Sequence, residues 1–339
     1  MNPPAMGDDP ILPGGTMQLT DRLDERTCEL LADGFDAARE RPVTLRANTL
    51  KATSDQISTA LDAAGIGYAR VPWYEDAFVL DGAREREVWG LDIYRDGLVY
   101  LQSLSSMLPP LILDPLAGAD ILDMCSAPGG KTSQIAALTA NGAHLTACEM
   151  SAPRAEKLAY NLDKLGAQNV NIMRTDARRL DEFFSFDQIL LDAPCTGTGT
   201  YRTGDERAEK RMTPQLLDKV VKSQRALLDR ALTVLKPGGT LVYSTCSVLP
   251  EENDEQVRAA LKRHRDCKVV PILAGNVDDG QSDPEERVIT IARADEGEFA
   301  WPIMNLPNSL EGTLTLAPTR LYEGFYVAAI QKQAPRTRR

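Results

Sequence analysis

The sequence predicts an α/β protein in which a small N-terminal α+β domain precedes a larger domain with a mostly parallel sheet. The chain has 339 residues, enough for two domains of roughly 150 residues each. From about residue 120 onward, short strand-like segments alternate with helical patterns, which is typical of a parallel sheet. Hydrophobic residues make up 43% and charged residues 26% of the chain, a composition that excludes disordered and fibrous proteins.

The N-terminal domain is expected over residues 16–112, after a loose tail rich in proline and glycine over residues 1–15. Apolar residues at helical spacing predict two helices, at 23–39 and 54–64, and Gly65 ends the second. Four short segments have the composition of strands, at 43–48, 68–71, 77–80 and 98–101.

The larger domain is expected over residues 113–333 and is followed by a basic tail at 334–339. Its strands are predicted at 121–124, 144–149, 169–173, 188–192, 240–245 and 324–330, with helices from about 131, 153 and 251. Thr213 and Pro214 have the residue types of an N-cap and a first helical position, and they predict the start of a further, long helix.

The sequence shows no sign of a membrane or metal partner. The first residues have neither a basic segment nor an apolar core of the kind that a secretory signal needs. No apolar run reaches the roughly 18 residues of a membrane span. The chain has two histidines, and its cysteines form no paired spacing of the kind that holds zinc: Cys28, Cys125, Cys148, Cys195, Cys246 and Cys267. We therefore expect reduced thiols in a cytoplasmic protein.

The net charge of −11 by itself argues against a nucleic-acid partner, because such proteins are usually basic. More than half of this charge lies in residues 277–298, which contain eight acidic residues and two arginines. We interpret this stretch as a solvated insertion. Three basic clusters lie elsewhere and could form one face for phosphate groups near the active site, or simply solvated surface: Arg41, Arg46 and Lys51; Arg174, Arg178 and Arg179; Arg202, Arg207, Lys210 and Arg211.

A glycine-containing loop at residues 123–132 joins the first strand of the larger domain to its helix. Glycines let a backbone approach a ligand closely beside the positive end of a helix. A nucleotide P-loop needs glycine where Cys125 stands, and the G-x-G-x-x-G pattern of dinucleotide sites is absent. S-adenosylmethionine fits better, because Glu149 at the end of the second strand could accept from ribose hydroxyls and Asp176 could meet the adenine edge.

Two cysteines follow the ends of neighbouring predicted strands. Cys195 comes three residues after Asp192, and Cys246 follows the next strand. Ligands of open α/β sheets lie outside these strand ends. A single cysteine there is more often a packing residue, but two beside a cofactor loop indicate chemistry. Methylation of a pyrimidine at C5 fits, since C5 becomes nucleophilic only after a thiolate adds at C6 and a nearby acid offsets charge at N3.

These motifs resemble the NOL1/NOP2/Sun family of RNA cytosine-5 methyltransferases, in particular its RsmB/RsmF-like rRNA enzymes. The matching segments are Asp123 to Thr132, Asp192 to Cys195, Thr245 to Ser247 with the Pro-Glu-Glu-Asn that follows, Arg46 to Lys51, Gln102 to Leu108 and Gly324 to Ala328. Two departures are small: Ser126 stands where alanine is commoner and Thr196 where serine is commoner.

The resemblance implies a class I methyltransferase domain, Rossmann-like, with an N-terminal domain that helps to hold RNA. It implies that Cys246 is the nucleophile, that Cys195 assists product release, and that Asp192 contacts the N3/N4 edge of cytosine beside the cofactor. It also implies a set of S-adenosylmethionine-binding residues: Cys125, Ser126, Ala127, Pro128, Gly129, Gly130, Lys131, Glu149, Asp176 and Asp192.

The sequence leaves three alternatives open for the activity and its substrate. The substrate could be transfer RNA, although ribosomal RNA is the first expectation. A non-catalytic RNA-binding relative would be expected to lack a cysteine or the glycine loop, and both are intact. A DNA cytosine methyltransferase would carry its nucleophile in the Pro-Cys motif and would have no thiol equivalent to Cys246. The sequence does not predict the oligomeric state.

Overall fold

The computed structural model describes residues 18–274, 289–291 and 303–334. Several expectations concern residues outside this range. They are the tail at 1–15, the acidic stretch 277–298 apart from residues 289–291, and the basic tail 334–339 apart from its first residue.

The N-terminal region forms an α+β unit around a four-stranded antiparallel sheet of order β2-β3-β1-β4. Its elements are α1 (Glu25–Ala37), β1 (Thr44–Ala47), α2 (Ser54–Ala63), β2 (Tyr68–Val71), β3 (Tyr74–Leu80), α3 (Glu85–Trp89), α4 (Asp92–Arg95) and β4 (Val99–Leu101). The Thr53 side chain accepts from the Gln56 backbone and the Gln56 side chain accepts from the Thr53 backbone, so this reciprocal pair begins α2. The predicted strands and both predicted helices are confirmed.

The larger region is built on an eight-stranded sheet of order β10-β14-β9-β8-β5-β6-β7, with β13 beside β14. Its strands are β5 (Asp120–Asp123), β6 (His144–Cys148), β7 (Val170–Met173), β8 (Phe186–Asp192), β9 (Leu235–Thr245), β10 (Cys267–Val270), β13 (Leu314–Leu316) and β14 (Phe325–Lys332), while β11 (Ile272–Ala274) and β12 (Ile289–Ile291) form a separate pair. Strands β5 to β9 pair in parallel, whereas β10, β13 and β14 pair antiparallel. The predicted fold class is confirmed.

Helices cover this sheet: α5 (Leu104–Leu113), α6 (Gly130–Leu138), α7 (Ala152–Leu165), α8 (Glu206–Arg211), α9 (Pro214–Val234) and α10 (Asp254–Arg263). The predicted cap of α9 is confirmed, because the Thr213 side chain accepts from the Leu216 backbone N–H. Chain order reverses between β5 and β8: β6 and β7 lie on one side, β8 and β9 on the other. Ligand sites of such sheets lie at this switch point, beyond the carboxyl ends of the strands.

Helix α5 was not predicted, because Pro109 and Pro110 lie within it and proline normally interrupts a helix. Most of its apolar side chains are buried, among them Leu104, Met107 and Leu108, and Leu111 is partly buried. The helix packs on α6 and on strands β8, β9 and β14. Helix α5 therefore contributes to the core of the larger sheet. The domain boundary expected from the sequence, after residue 112, places nearly all of it in the N-terminal domain.

The first basic cluster does not form a surface for phosphates, contrary to the expectation from sequence. Arg46 is 1% exposed, and it donates from Nε to Gln102 Oε1 at 3.2 Å and from Nη2 to Ser133 Oγ in α6 at 3.0 Å. Lys51 Nζ donates to the Lys164 carbonyl at the end of α7 at 2.7 Å. Helix C-termini attract cations in this way. The cluster instead attaches the N-terminal region to the larger domain.

Arg41, the remaining member of the cluster, is also occupied within the fold. Its side chain is 5% exposed, and Nη2 donates to the carbonyl of Tyr322 at 2.8 Å.

In the part of the chain that the structure describes, no helix is long and apolar enough to cross a membrane.

The turn after β8 lies directly against the start of β14. The Gly324 backbone N–H donates to the Gly199 carbonyl at 2.8 Å, and the Gly199 N–H donates to the Cys246 carbonyl at 3.0 Å. A Cβ atom on Gly199 would stand 1.9 Å from the Gly324 carbonyl oxygen, and backbone cannot move aside as a flexible side chain can.

We therefore expect Gly199→Ala to lower the free energy of unfolding by at least about 2 kcal/mol, as overpacking does. Thermal and urea unfolding would measure the loss. Gly67→Ala is the control, because its Cβ would stand 3.3 Å from the Asp81 Cβ atom and should have a small effect. Equal stability of the two variants would contradict the close backbone approach.

Candidate active site

Two cavities meet at the carboxyl ends of the parallel strands. The first, which we call the sheet cavity, has a volume of about 370 Å³ and is lined by the ends of β6 and β8 and by the segment after β7. The second, the junction cavity, has a volume of about 290 Å³ and lies between residues 100–103 of the N-terminal region and the larger domain. The residues that line both are Cys125, Ala127, Asp192 and Cys246.

The glycine loop forms the wall between the cavities. Gly129 has φ of +107° and precedes α6, and a Cβ there would lie 3.1 Å from Leu158 Cδ1. This backbone conformation strongly favours glycine. Gly130 meets the ring of Tyr100, whose Cε1 would stand 2.8 Å from an added Cβ atom. The two glycines therefore let the loop pass close to α7 on one side and to the N-terminal region on the other.

The sequence assigned all of residues 125–131 to the cofactor, and in the structure this loop borders both cavities. Cys125 and Ala127 line the sheet cavity as well as the junction cavity. The remaining residues of the loop that line a cavity face the junction cavity alone: Ser126, Pro128, Gly130 and Lys131. One short sequence therefore borders two sites, because the loop turns between them.

Glu149 lies at the end of β6, where the sequence predicted an acid. It is 4% exposed and lines the sheet cavity. Its Oε1 accepts from the Ser151 backbone N–H at 2.8 Å, and its Oε2 lies 3.2 Å from Nη1 of Arg154. Arg154 also donates from Nη2 to the Ala127 carbonyl at 2.9 Å, so this pair connects the end of β6 to the glycine loop.

Asp176 also lines the sheet cavity, together with Arg178. The guanidinium of Arg178 donates from Nε to Oδ1 of Asp176 at 2.9 Å and from Nη2 to Oδ2 at 2.7 Å. This hydrogen bonding lowers the pKa of Asp176 below its ordinary value, so the carboxylate is charged at neutral pH. Arg178, a member of the second basic cluster, is thus paired with a neighbouring acid.

Lys131 and Asp192 form an ion pair at the wall shared by the cavities. Lys131 Nζ donates to Asp192 Oδ2 at 2.6 Å and to Ser106 Oγ at 2.8 Å, and Ser244 Oγ donates to Asp192 Oδ1 at 2.8 Å. Burial alone would lower the pKa of Lys131, but the charge and hydrogen bond of Asp192 outweigh it and raise that pKa. The pair therefore presents a permanent cation and an oriented carboxylate.

The two cysteines predicted from the sequence come together in the structure. Their sulfur atoms lie 3.2 Å apart, and both side chains are partly buried. The hydrogen bond with Cys246, followed by burial, raises the pKa of Cys195 well above that of an ordinary thiol. Cys195 therefore keeps its proton at neutral pH.

Several side chains at the junction cavity were not among the site residues predicted from the sequence. Tyr100, Ser103, Ser106 and Glu323 line it, and Ser103 Oγ donates to Glu323 Oε2 at 2.7 Å. They come from segments more than 200 residues apart, so no local spacing could associate them.

Among the described residues, no group of three or more His, Cys, Asp or Glu side chains could hold a metal ion.

Comparisons of sequence identify relatives. Residues 110–331 match a family model described as 16S rRNA methyltransferase RsmB/F, and residues 19–86 match the RsmF/B-like ferredoxin-like domain. The ribosomal RNA small subunit methyltransferase F of Shewanella amazonensis (strain ATCC BAA-1098 / SB2B) is 39% identical over 68% of this chain and 50% of its own length. That of Shewanella loihica (strain ATCC BAA-1088 / PV-4) is 40% identical over 73% and 52%. The chain spans about half the length of these curated relatives.

Solved structures show the same fold. A methyltransferase homolog protein from Pyrococcus horikoshii has a TM-score of 0.70 and 32% identity, covering 92% of each chain. NSun6 from Pyrococcus horikoshii with SFG has a TM-score of 0.74 over 93% of this chain and 97% of its own. Because it is 21% identical, that second likeness concerns the fold alone.

Asp123, at the end of β5, is 1% exposed and accepts a hydrogen bond from Thr132 Oγ1 at 2.6 Å. Burial raises its pKa to about 6. A carboxyl group with a raised folded pKa stabilises the fold below its unfolded pKa, and this contribution is lost as pH rises through about 6. Between pH 4 and 7 the loss is about 2–3 kcal/mol.

We expect Asp123→Asn to remove this loss. The free energy of unfolding of the parent, minus that of the variant, should therefore fall by about 2–3 kcal/mol from pH 4 to pH 7. Urea unfolding at several pH values would measure the difference, and the other carboxyl groups cancel because both proteins carry them. A difference that stays constant with pH would contradict the raised pKa of Asp123.

Proposed function

Because this chain belongs to the RsmB/F family of 16S rRNA methyltransferases, we propose that it methylates carbon 5 of a cytosine in small-subunit ribosomal RNA, with S-adenosylmethionine as the methyl donor. One observation carries the proposal. Two thiols lie 3.2 Å apart, and Cys246 lines both cavities. A nucleophile in that position can reach a base in one cavity while a methyl donor lies in the other.

The sheet cavity suits S-adenosylmethionine by its size and by the chemistry of its walls. Each oxygen of the Glu149 carboxylate already accepts one contact inside the protein but has a second lone pair, with which it can accept from a ribose hydroxyl. Asp176 lines the same cavity, where the sequence predicted an acid near the adenine edge, and Cys125 and Ala127 border the point where the cavities meet. When bound, this cofactor supplies an electrophilic methyl group on a sulfonium.

The junction cavity suits a single pyrimidine turned out of its RNA strand. Enzymes that react at a base must remove it from the stack, and they recognise its hydrogen-bonding edge in a pocket. The Asp192 carboxylate accepts from the cytosine N4 amino group, and the Lys131 ammonium donates toward N3. Uracil presents a carbonyl at C4 and an N–H at N3, so this donor and acceptor pair favours cytosine.

The bond changes follow from these positions. The Cys246 sulfur bonds to C6, and the electron density of the C5–C6 double bond moves to C5 while Lys131 offsets the charge that develops at N3. C5 would then bond to the methyl carbon while the bond from that carbon to the sulfonium sulfur breaks and its electron pair stays on the sulfur. After the C5 proton is lost to solvent, the C6–sulfur bond breaks, the double bond re-forms and the electron pair returns to Cys246. Cys195, still protonated at this step, donates its proton to the departing sulfur, and a proton returns to Cys195 across the 3.2 Å between the two sulfur atoms before the next cycle.

The two cysteines should fail differently when replaced. Cys246→Ala removes the nucleophile, so no 5-methylcytosine should form. Cys195→Ala leaves the nucleophile but removes the proton donor, so methylated RNA should stay bound to Cys246. With 16S rRNA transcript and S-adenosylmethionine, Cys195→Ala should give an RNase-sensitive shifted band on a denaturing gel. Cys246→Ala and the double variant should give none.

Nucleoside mass spectrometry of the same reactions tests the product and the substrate. We expect 5-methylcytosine in the 16S transcript or in 30S subunits assembled from it, and none in a DNA copy. Modification of transfer RNA alone would contradict the substrate class. A trapped band with Cys246→Ala instead of Cys195→Ala would reverse the two roles, and full activity in both variants would refute the mechanism.

The parent protein should bind S-adenosylmethionine without RNA, since the sheet cavity forms within the larger domain. We expect Glu149→Ala to weaken this binding by about 1–3 kcal/mol, because charged hydrogen bonds are lost. Titration calorimetry would measure the affinity. Glu156→Ala on the exposed side of α7 is the matched control and should bind as the parent does. Unchanged affinity in Glu149→Ala would remove Glu149 from the cofactor site.

A further inference from the structure

A buried glutamate lies behind the two cysteines. Glu252 ends a short 3-10 turn after β9, and it is 0% exposed. Its Oε1 accepts from the Thr196 backbone N–H at 2.8 Å and from Gln224 Nε2 at 2.9 Å. Its Oε2 accepts from Thr196 Oγ1 and from Ser247 Oγ, both at 2.5 Å. Each oxygen is therefore fully engaged.

These bonds reach the chain next to each cysteine. Thr196 directly follows Cys195, and Ser247 directly follows Cys246. Gln224, which donates to Glu252, also donates to the carbonyl of Pro194 at 3.0 Å, on the other side of Cys195. A single carboxylate thus connects the turns after β8 and β9.

The negative charge of this group is not needed to balance a cation. Among the residues that the structure describes, Glu252 makes no ion pair, and every partner of its carboxylate is a hydrogen-bond donor. Burying an unpaired carboxylate is costly even when it is well hydrogen-bonded. A glutamine has the same shape, and its amide group could donate to the hydroxyls of Thr196 and Ser247. The fold alone therefore does not require the charge.

The charge acts on the nearby thiol. The pKa of Cys195 is raised first by its hydrogen bond with Cys246 and by burial, and then by the charges of Cys246, Glu252 and Asp192. Tyr243 also interacts electrostatically with Cys195, and Lys131 partly balances Asp192. Loss of the Glu252 charge would leave these other groups in place and make Cys195 easier to ionise.

We propose that Glu252 is a positioning residue for this reaction, holding Cys195 and Cys246 at their separation and keeping Cys195 in the protonated form that releases the product. The proposal rests on the proposed function, because it assigns Glu252 a part in the release of RNA from Cys246. Its contacts are with the cysteine turns and α9, and none is with Glu149, so cofactor binding should not depend on it.

The test compares Glu252→Gln and Glu252→Ala with the parent, and uses Glu251→Gln as the matched control. Glu251 is the adjacent carboxylate and pairs with Arg22 at the surface. The probe is 16S rRNA transcript with methyl-labelled S-adenosylmethionine. Single-turnover reactions follow methyl transfer and the decay of the covalent band, and calorimetry gives the cofactor affinity.

For Glu252→Gln we expect cofactor affinity and KM for RNA within twofold of the parent, with decay of the covalent band slowed at least tenfold. Because a negative charge is removed, Cys195 should lose its proton at lower pH, and the alkaline decline of the release rate should begin at lower pH than in the parent. Glu252→Ala should be slower still, so the glutamine restores part of the rate. Glu251→Gln should match the parent.

A second pair of variants covers the case in which the Glu252 variants fold poorly. Thr196→Val keeps the shape of the side chain and the backbone N–H bond but loses the hydroxyl bond to Glu252, whereas Thr196→Ser keeps the hydroxyl. We expect the valine variant to slow release at least fivefold and the serine variant to stay within twofold of the parent.

The possible results distinguish the positioning role of Glu252 from the proposed function. If Glu252→Gln and Thr196→Val release product at the parent rate and with the parent pH profile, while Cys246→Ala is inactive, the positioning role is overturned and the proposed function stands. Equal loss of cofactor affinity and of rate in Glu252→Gln would also overturn it, since that pattern indicates general disorder of the site. A parent protein that forms no 5-methylcytosine overturns both.

Discussion

The parallel pairing of β8 with β9 is the interaction on which the rest of the site depends. Its register places Asp192 opposite Ser244, and the Ala193 N–H donates to the Ser244 carbonyl at 2.8 Å. The two strands therefore end together, and the turns that follow them leave the sheet side by side. A shift of one residue would turn Asp192 to the other face of the sheet and separate the carboxylate from the cavities that it borders.

The N-terminal region supplies one wall of the junction cavity. Its β4 segment supplies Tyr100 to the junction cavity, and the same strand region is held to α6 by buried Arg46 through Gln102 and Ser133. Arginine suits this position because its planar group donates in several fixed directions. Basic residues that could have contacted RNA are consequently used to join two units around the junction cavity.

Two cysteines of identical chemistry receive different properties from their surroundings. Cys195 lies between Cys246 and the buried Glu252 network, where its proton is retained. Cys246 borders both cavities and faces the cation of Lys131 across the shared wall. A thiol that keeps its proton beside a thiol that borders both cavities suits the proposed division into an acid and a nucleophile. The proposed roles of the thiols therefore follow from position more than from residue type.

The sequence by itself determined the main strands and helices of both units, the cap at Thr213 and the placement of both cysteine motifs at strand ends, because these features depend on local periodicity and residue type. Only the tertiary structure decided that Lys131 faces the junction cavity, that Arg46 is buried at a domain contact and that the Pro109–Pro110 segment forms a helix. Each of these depends on chain segments far apart in sequence, and the free energy of burying them together has no local signature.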